Sequence, residues 1–180
     1  MVETKVISRL EAIAALTEPG ERYELQRLGI NGVPVRAFKN APSSLRELYL
    51  KTQSDKPFIV YEDERLTFAE AYRDAARIAH VLVREYGVAK GDRVAISMRN
   101  YPEWILAFMA ATSLGAIAVA MNSMWQAEEM EYGLRDCDAT VLIADQERLD
   151  LLSQFSNNLD VRAIAVRRTQ ANDGAPELKQ

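Results

Sequence analysis

The chain has 180 residues, with 22 Lys and Arg against 26 Asp and Glu, a formal net charge of −4, one His, one Cys and eight Gly. A single Cys excludes an internal disulfide, and with it a disulfide-stapled secreted scaffold; one Cys and one His exclude a Cys/His zinc tetrad. The glycines stand singly at 20, 29, 32, 87, 91, 115, 133 and 174, so no GxGxxG or GxxxxGK phosphate cradle can be drawn through them.

At 48% hydrophobic and 27% charged, the composition is that of an ordinary soluble globular chain. The basic residues are scattered, with Arg167-Arg168 the densest pair, so no basic face for nucleic acid is expected. The opening MVETKVISRL lacks a basic segment followed by an apolar one, and no signal peptide is expected.

Ile7, Leu10, Ile13 and Ala14 recur at helical spacing over 4–17, and Glu18-Pro19-Gly20 ends that helix. Residues 21–43, with Gly29, Gly32, Pro34 and Pro42, read as irregular. Ser44, followed by Glu47, opens a short helix. Phe58–Tyr61 reads as a strand, Asp63-Glu64 as a tight connection and Arg65-Leu66 as a return strand. Thr67 and Glu70 form a capping box for a helix whose Phe68, Ala71, Ala75, Ile78, Leu82 and Tyr86 make one apolar face, closed by Gly87.

Strands follow at 93–98, 117–121, 140–144 and 161–166, with helices between them at 102–114, 127–137 and 147–155. The uncharged stretch 104–121 is near the lower limit of a membrane span, but Leu114-Gly115 breaks it into a buried helix and a buried strand. Strict alternation of strand and helix predicts an α/β fold. A largely parallel sheet carries packed crossover helices, preceded by a helical and irregular N-terminal extension and a β-hairpin. The expected divisions are 1–50 for the extension, 51–166 for the α/β part and 167–180 for a polar tail or linker. Ligands of such sheets bind beyond the carboxyl ends of the strands, here Arg99-Asn100, Asn122-Ser123 and Asp145-Gln146.

Residue types offer no catalytic centre and no metal site. His80 reads as a partly buried helical histidine without a partner, and Cys137 as a small core residue. Glu62-Asp63 and Glu128-Glu129 read as solvated charges.

Several segments, in order, resemble the N-terminal subdomain of the adenylate-forming enzymes, which include acyl-CoA synthetases. Leu66-Thr67-Phe68-Ala69-Glu70 is similar to the family's L-[ST]-Y-x-E-L, with Phe68 for Tyr and Ala71 for the final Leu. Gly87–Ala95 is similar to G-[VL]-x-x-G-D-R-V-A, and Asn100–Trp104 to N-x-x-E-[WF]. Gly115-Ala116 through Asn122 is similar to G-A followed by V-P-x-N, with Ala120 for Pro. The opening, with Tyr23-Glu24-Leu25, Gly32–Val35 and Phe38, resembles bacterial acyl-CoA synthetases.

The resemblance implies ATP-dependent conversion of a carboxylic or fatty acid to acyl-adenylate and then acyl-CoA, with ATP, Mg and CoA as cofactors of a longer parent. The family's Ser/Thr/Gly-rich loop, its acidic metal and ribose residues and its mobile-domain Lys have no counterpart in this sequence. The chain is therefore expected to be an inactive fragment that binds none of these cofactors itself. Its partners would be the rest of its polypeptide and, through apolar surface left exposed, its own copies. By the same resemblance Ser123, Met124 and Arg148 are candidates for contact with CoA, Arg148 through its guanidinium on phosphate. The rival reading of Arg148 is a solvated helical arginine; Trp125 shapes an entrance or anchors the following helix. The parent is expected in the cytoplasm, or peripheral to a membrane. The alternatives to an enzyme fragment are a stand-alone α/β binding module and, using 104–121, a small membrane protein.

Overall fold

The computed structural model describes residues 6–156 and 159–168, so expectations for residues 4–5 and for the tail beyond 168 lie outside it. The chain forms two compact units, Met1–Ser43 and Ser44–Gln180.

In the first unit, helix α1 (Arg9–Thr17) starts one residue after Ser8. The Ser8 hydroxyl accepts the Glu11 N–H and the Glu11 carboxylate accepts the Ser8 N–H, so two of the helix's orphan donors are satisfied reciprocally. None of α1's residues is buried, although Leu10, Ile13 and Leu16 share its apolar spacing.

Residues 21–43 correct the irregular reading. Strands β1 (Leu25–Ile30) and β2 (Val33–Phe38) pair antiparallel from Leu25↔Phe38 to Ile30↔Val33. Asn31-Gly32 is the two-residue loop between them, with φ of 49° and 80°. A loop with both residues at positive φ matches the twist of the strands, and Asn-Gly is the dipeptide that adopts it most readily. Gly29 and Pro34 look like breakers in isolation, but they face each other across a two-stranded ribbon, where a missing donor costs little.

The second unit opens with α2 (Leu45–Lys51), capped by Ser44. Strands β3 (Pro57–Tyr61) and β4 (Glu64–Thr67) form the expected hairpin, turning at Glu62-Asp63, one residue earlier than the spacing suggests. Thr67 and Glu70 make the expected capping box at the start of α3 (Phe68–Arg84). Beyond α3, the Gly87 N–H bonds the Val83 carbonyl and the Val88 N–H bonds that of Leu82, with Gly87 at φ 68°. The buried stripe of α3 is Ala71, Ala75, Ala79 and Leu82. His80 corrects its expected place: it is exposed, because it follows Ala79 and points about 100° away from that stripe.

Strands β5 (Arg93–Ser97), β6 (Ile117–Ala120), β7 (Val141–Asp145) and β8 (Arg162–Val166) alternate with helices α4 (Pro102–Ser113), α5 (Ala127–Asp136) and α6 (Gln146–Ser153). The four strands form one parallel sheet in the order β6-β5-β7-β8. The step from β5 to β6 runs one way along the sheet, and the steps to β7 and β8 run the other. Right-handed crossovers then place α4 on one face and α5 and α6 on the opposite face. The core records this. Val94, Ile96, Val141, Ile143 and Ile164 pack with residues of α3 and α4, whereas Ala95, Leu142, Ala144 and Ala165 pack with residues of α5 and α6. Burial on both faces is why the central strands β5 and β7 read as continuous apolar runs rather than alternating ones.

The stretch 104–121 resolves into a largely buried helix and a strand, but β6 is not the buried strand expected: it is the edge of the sheet, and its Ile117 is 51% exposed. The helix α4 has 12 residues, Gly115 follows at φ 75°, and β6 begins two residues later. Among the described residues no helix is long and apolar enough to cross a membrane. Trp125 anchors α5: a Cβ on Gly133 would stand 2.6 Å from its ring, so Gly in this helix interior makes room for the indole.

Candidate functional site

The connections diverge between β5 and β7, which makes the crevice beyond their carboxyl ends the natural ligand site of such a sheet. Asp145, the last residue of β7, organises that crevice. It is 4% exposed and lies at the N-cap of α6. One carboxylate oxygen accepts the Arg148 N–H at 3.2 Å, and the other accepts the Arg99 N–H at 2.9 Å. The same carboxylate takes Arg148 Nη1 at 3.2 Å. One side chain therefore ties the end of β5 to the start of α6 and holds a cation beneath both.

Arg148 is 5% exposed, which removes the reading of a solvated helical arginine. Its Nε and Nη2 both donate to the carbonyl oxygen of Ser123, the Nε bond measuring 2.9 Å. Its Nη1 also meets Glu147 at 2.6 Å. The structure thus brings Ser123 and Arg148 together, through a backbone oxygen. Met124 extends from the same loop and is 70% exposed, and its N–H donates to the Asn122 side chain at 2.9 Å. All three strand ends singled out from the sequence, at 99–100, 122–123 and 145–146, contribute to this one edge or border it.

Glu147 spans two guanidiniums at the mouth of the crevice. It accepts Arg99 Nη2 at 2.9 Å and Arg148 Nη1 at 2.6 Å. Hydrogen bonds from Arg99 first, and then from Arg148, hold its carboxyl below the usual carboxylate range, and Glu147 in turn raises the pKa of Arg99.

A second cluster stands at the end of β8. Arg167 was expected to open a polar tail, but its guanidinium is held at 2.7 Å by Glu64 and at 3.0 Å by Glu103. It also lies 5.0 Å from the centroid of Tyr61 and 4.9 Å from that of Tyr101. Burial works against its charge, but the two carboxylates override that and raise its pKa. The residue adopts φ 48°, and its contacts join β4 and the first turn of α4 to the end of β8.

Burial pushes the Cys137 thiol up, away from nucleophilic thiolate, and the residue is only half-buried beside the α5 and α6 core. No group of three or more His, Cys, Asp or Glu placed to hold a metal ion occurs among the described residues. Sequence reasoning missed Asp145, Glu147, Arg99 and the Arg167 cluster as parts of networks; the one local signal was Asp145 three residues before Arg148 at a helix start.

Residues 47–179 match the family of AMP-binding enzymes. The chain belongs to that family. Among relatives of this AMP-binding domain, the long-chain-fatty-acid–CoA ligase of Bacillus subtilis (strain 168) is 36% identical over 112 residues, covering 62% of this chain and 19% of the ligase. The acetyl-coenzyme A synthetase of Sinorhizobium fredii (strain NBRC 101917 / NGR234) is 36% identical over 107 residues, covering 56% of this chain and 16% of the synthetase. The crystal structure of the anthranilate CoA ligase AuaEII with anthranoyl-AMP superposes with a TM-score of 0.69 at 28% identity, over 76% of this chain and 27% of that one. The chain spans less than a fifth of the length of these two curated relatives.

Removing one partner of a buried ion pair leaves the other charge stranded. Asp145→Ala therefore lowers unfolding stability by about 3 kcal/mol, whereas Glu147→Ala, at an exposed pair, costs far less. Urea denaturation of the two variants checks this; equal losses contradict the assigned hierarchy.

Proposed function

We propose that this chain supplies the α/β layer of an acyl-CoA synthetase, which activates a carboxylic acid with ATP and passes the acyl group to CoA. In the first step a substrate carboxylate oxygen attacks the α-phosphorus of ATP, giving acyl-adenylate and pyrophosphate. In the second the CoA thiol attacks the acyl carbon and AMP leaves. The observation that carries the proposal is the AMP-binding match over residues 47–179, supported by the 36% identity to a CoA ligase.

Within that enzyme the chain's own residues have a positioning part. The Ser123-Met124 loop faces the CoA nucleotide. Arg148 supports it from beneath, because each of its guanidinium nitrogens is engaged by Ser123, Asp145 or Glu147. Held in this way, the arginine fits CoA better as a brace for the loop than as a free phosphate ligand. The remainder of the polypeptide brings the phosphate cradle, for which the eight glycines of this chain provide no loop. By itself the chain has no adenylating activity.

Pyrophosphate exchange tests the last point: the purified 180-residue chain gives no carboxylate-dependent exchange, and turnover would contradict it. In the whole ligase, AMP forms from a carboxylic acid, ATP and CoA. Failure to form AMP with short, long and aromatic acids alike would sink the assignment. Arg148→Ala and Arg148→Lys both raise the KM for CoA several-fold and leave the KM for ATP unchanged. Lys keeps the charge but cannot span Asp145 and the Ser123 carbonyl together; an unchanged KM for CoA contradicts the brace.

A further inference from the structure

A second concave site lies away from the crevice, along the flank of α3 beside its buried stripe, where α2 and the end of α4 form its walls. The Tyr49 hydroxyl of α2 and the Thr112 hydroxyl of α4 stand 3.2 Å apart and fix the two helices to each other. The groove holds about 300 Å³ and is lined by ten residues, none of them Asp or Glu. Ala76 and Val83, both exposed, give it an open apolar floor, and Ala75 and Ala79 are buried beneath, so α3 carries methyl groups here where larger side chains would fill the space. Arg46, His80 and Arg84 stand around it. His80 and Arg84 are four residues apart on α3 and so share one side of that helix. Arg46 comes from the first turn of α2.

All three side chains are exposed, and among the described residues none of them makes a side-chain hydrogen bond or ion pair. In a chain of net charge −4, two guanidiniums and an imidazole stand around an apolar floor with no carboxylate among the lining residues, so the groove offers donors and positive charge without a built-in acceptor.

We infer that the α2–α3–α4 groove binds a single-chain amphiphilic anion, with its alkyl chain on the floor of Ala76 and Val83 and its carboxylate or phosphate head on Arg46, His80 and Arg84. The size favours a small molecule over a protein. A volume near 300 Å³ is at the lower end of small-molecule pockets, roughly 300–1,000 Å³, whereas a stable protein interface takes about 20–30 residues a side. The head group gains charge-assisted hydrogen bonds, and the chain removes apolar helix surface from water. This site is separate from the crevice between β5 and β7 and does not depend on the ligase reading.

Calorimetric titration of the intact chain, below the micelle concentration, tests the inference with decanoate, decyl phosphate, decanol and decyltrimethylammonium. The two anions bind at one site, and decanol and the ammonium bind at least about tenfold more weakly, as the loss of charge-assisted contacts requires. The tighter of the two anions identifies the preferred head. The exposed double variant Arg46→Gln/Arg84→Gln weakens both anions at least about tenfold and leaves decanol unchanged. Ala76→Phe, at an exposed position on the floor, abolishes binding while circular dichroism stays that of the parent chain. Absence of saturable binding by either anion overturns the inference. So does equal binding of decanol, or anion binding that survives both variants. An acidic amphipathic peptide that binds through Arg46 and Arg84 where neither alkyl anion does would also overturn it, in favour of a protein partner.

Discussion

The carboxyl edge of the sheet depends on one buried carboxylate. Asp145 and Arg148 have side chains 5% and 6% exposed, and their attraction has to offset the cost of taking two charges out of water. Direct pairing alone rarely does so. Here the carboxylate also accepts two backbone N–H groups, from Arg99 and Arg148, and the guanidinium also donates to the Ser123 carbonyl. With nearly every donor and acceptor satisfied, the pair fixes geometry more than it adds stability. It joins β5, α6 and the loop after β6, three segments that the sheet order would otherwise leave to move separately at their ends.

Arg167 has the same logic at the other end of the crevice. Its carboxylate partners Glu64 and Glu103 are 103 and 64 residues away in sequence, and two tyrosine rings flank it. The hairpin of β3 and β4 has no strand pairing with the main sheet, so this arginine is one of the links between that hairpin and the end of β8. Both clusters place cations where loops must be held, and both lie on the edge at which α/β sheets take ligands.

The regular part of the fold was legible because its causes are local. Period-2 and period-3.6 patterns, the Thr67–Glu70 box and the Gly87 and Gly115 stops each act within a few residues, and the alternation they define allows few sheet orders. The Asn31-Gly32 hairpin was equally local and was missed, because Gly29 and Pro34 masked a strong turn signal. The site was less legible for a different reason. Asp145 meets Arg99 across 46 residues, and Arg148 meets Ser123 across 25. A strand-end aspartate and a helical arginine have many possible partners until the topology chooses them. His80 shows the same limit on a helix surface: one step of 100° separates a buried from an exposed position.

The chain belongs to the AMP-binding enzymes, and at this edge of its sheet the contacts of Asp145 and Arg148 hold loops still. Amide hydrogen exchange on the intact chain measures that most directly. The Arg99 and Arg148 amides, which both donate to Asp145, are expected to exchange slowly. In Asp145→Ala both accelerate by at least about tenfold beyond any change at the core amide of Ile143. Fast exchange of both amides in the unaltered chain, or rates that follow Ile143 in the variant, would contradict the claim that Asp145 holds this edge together.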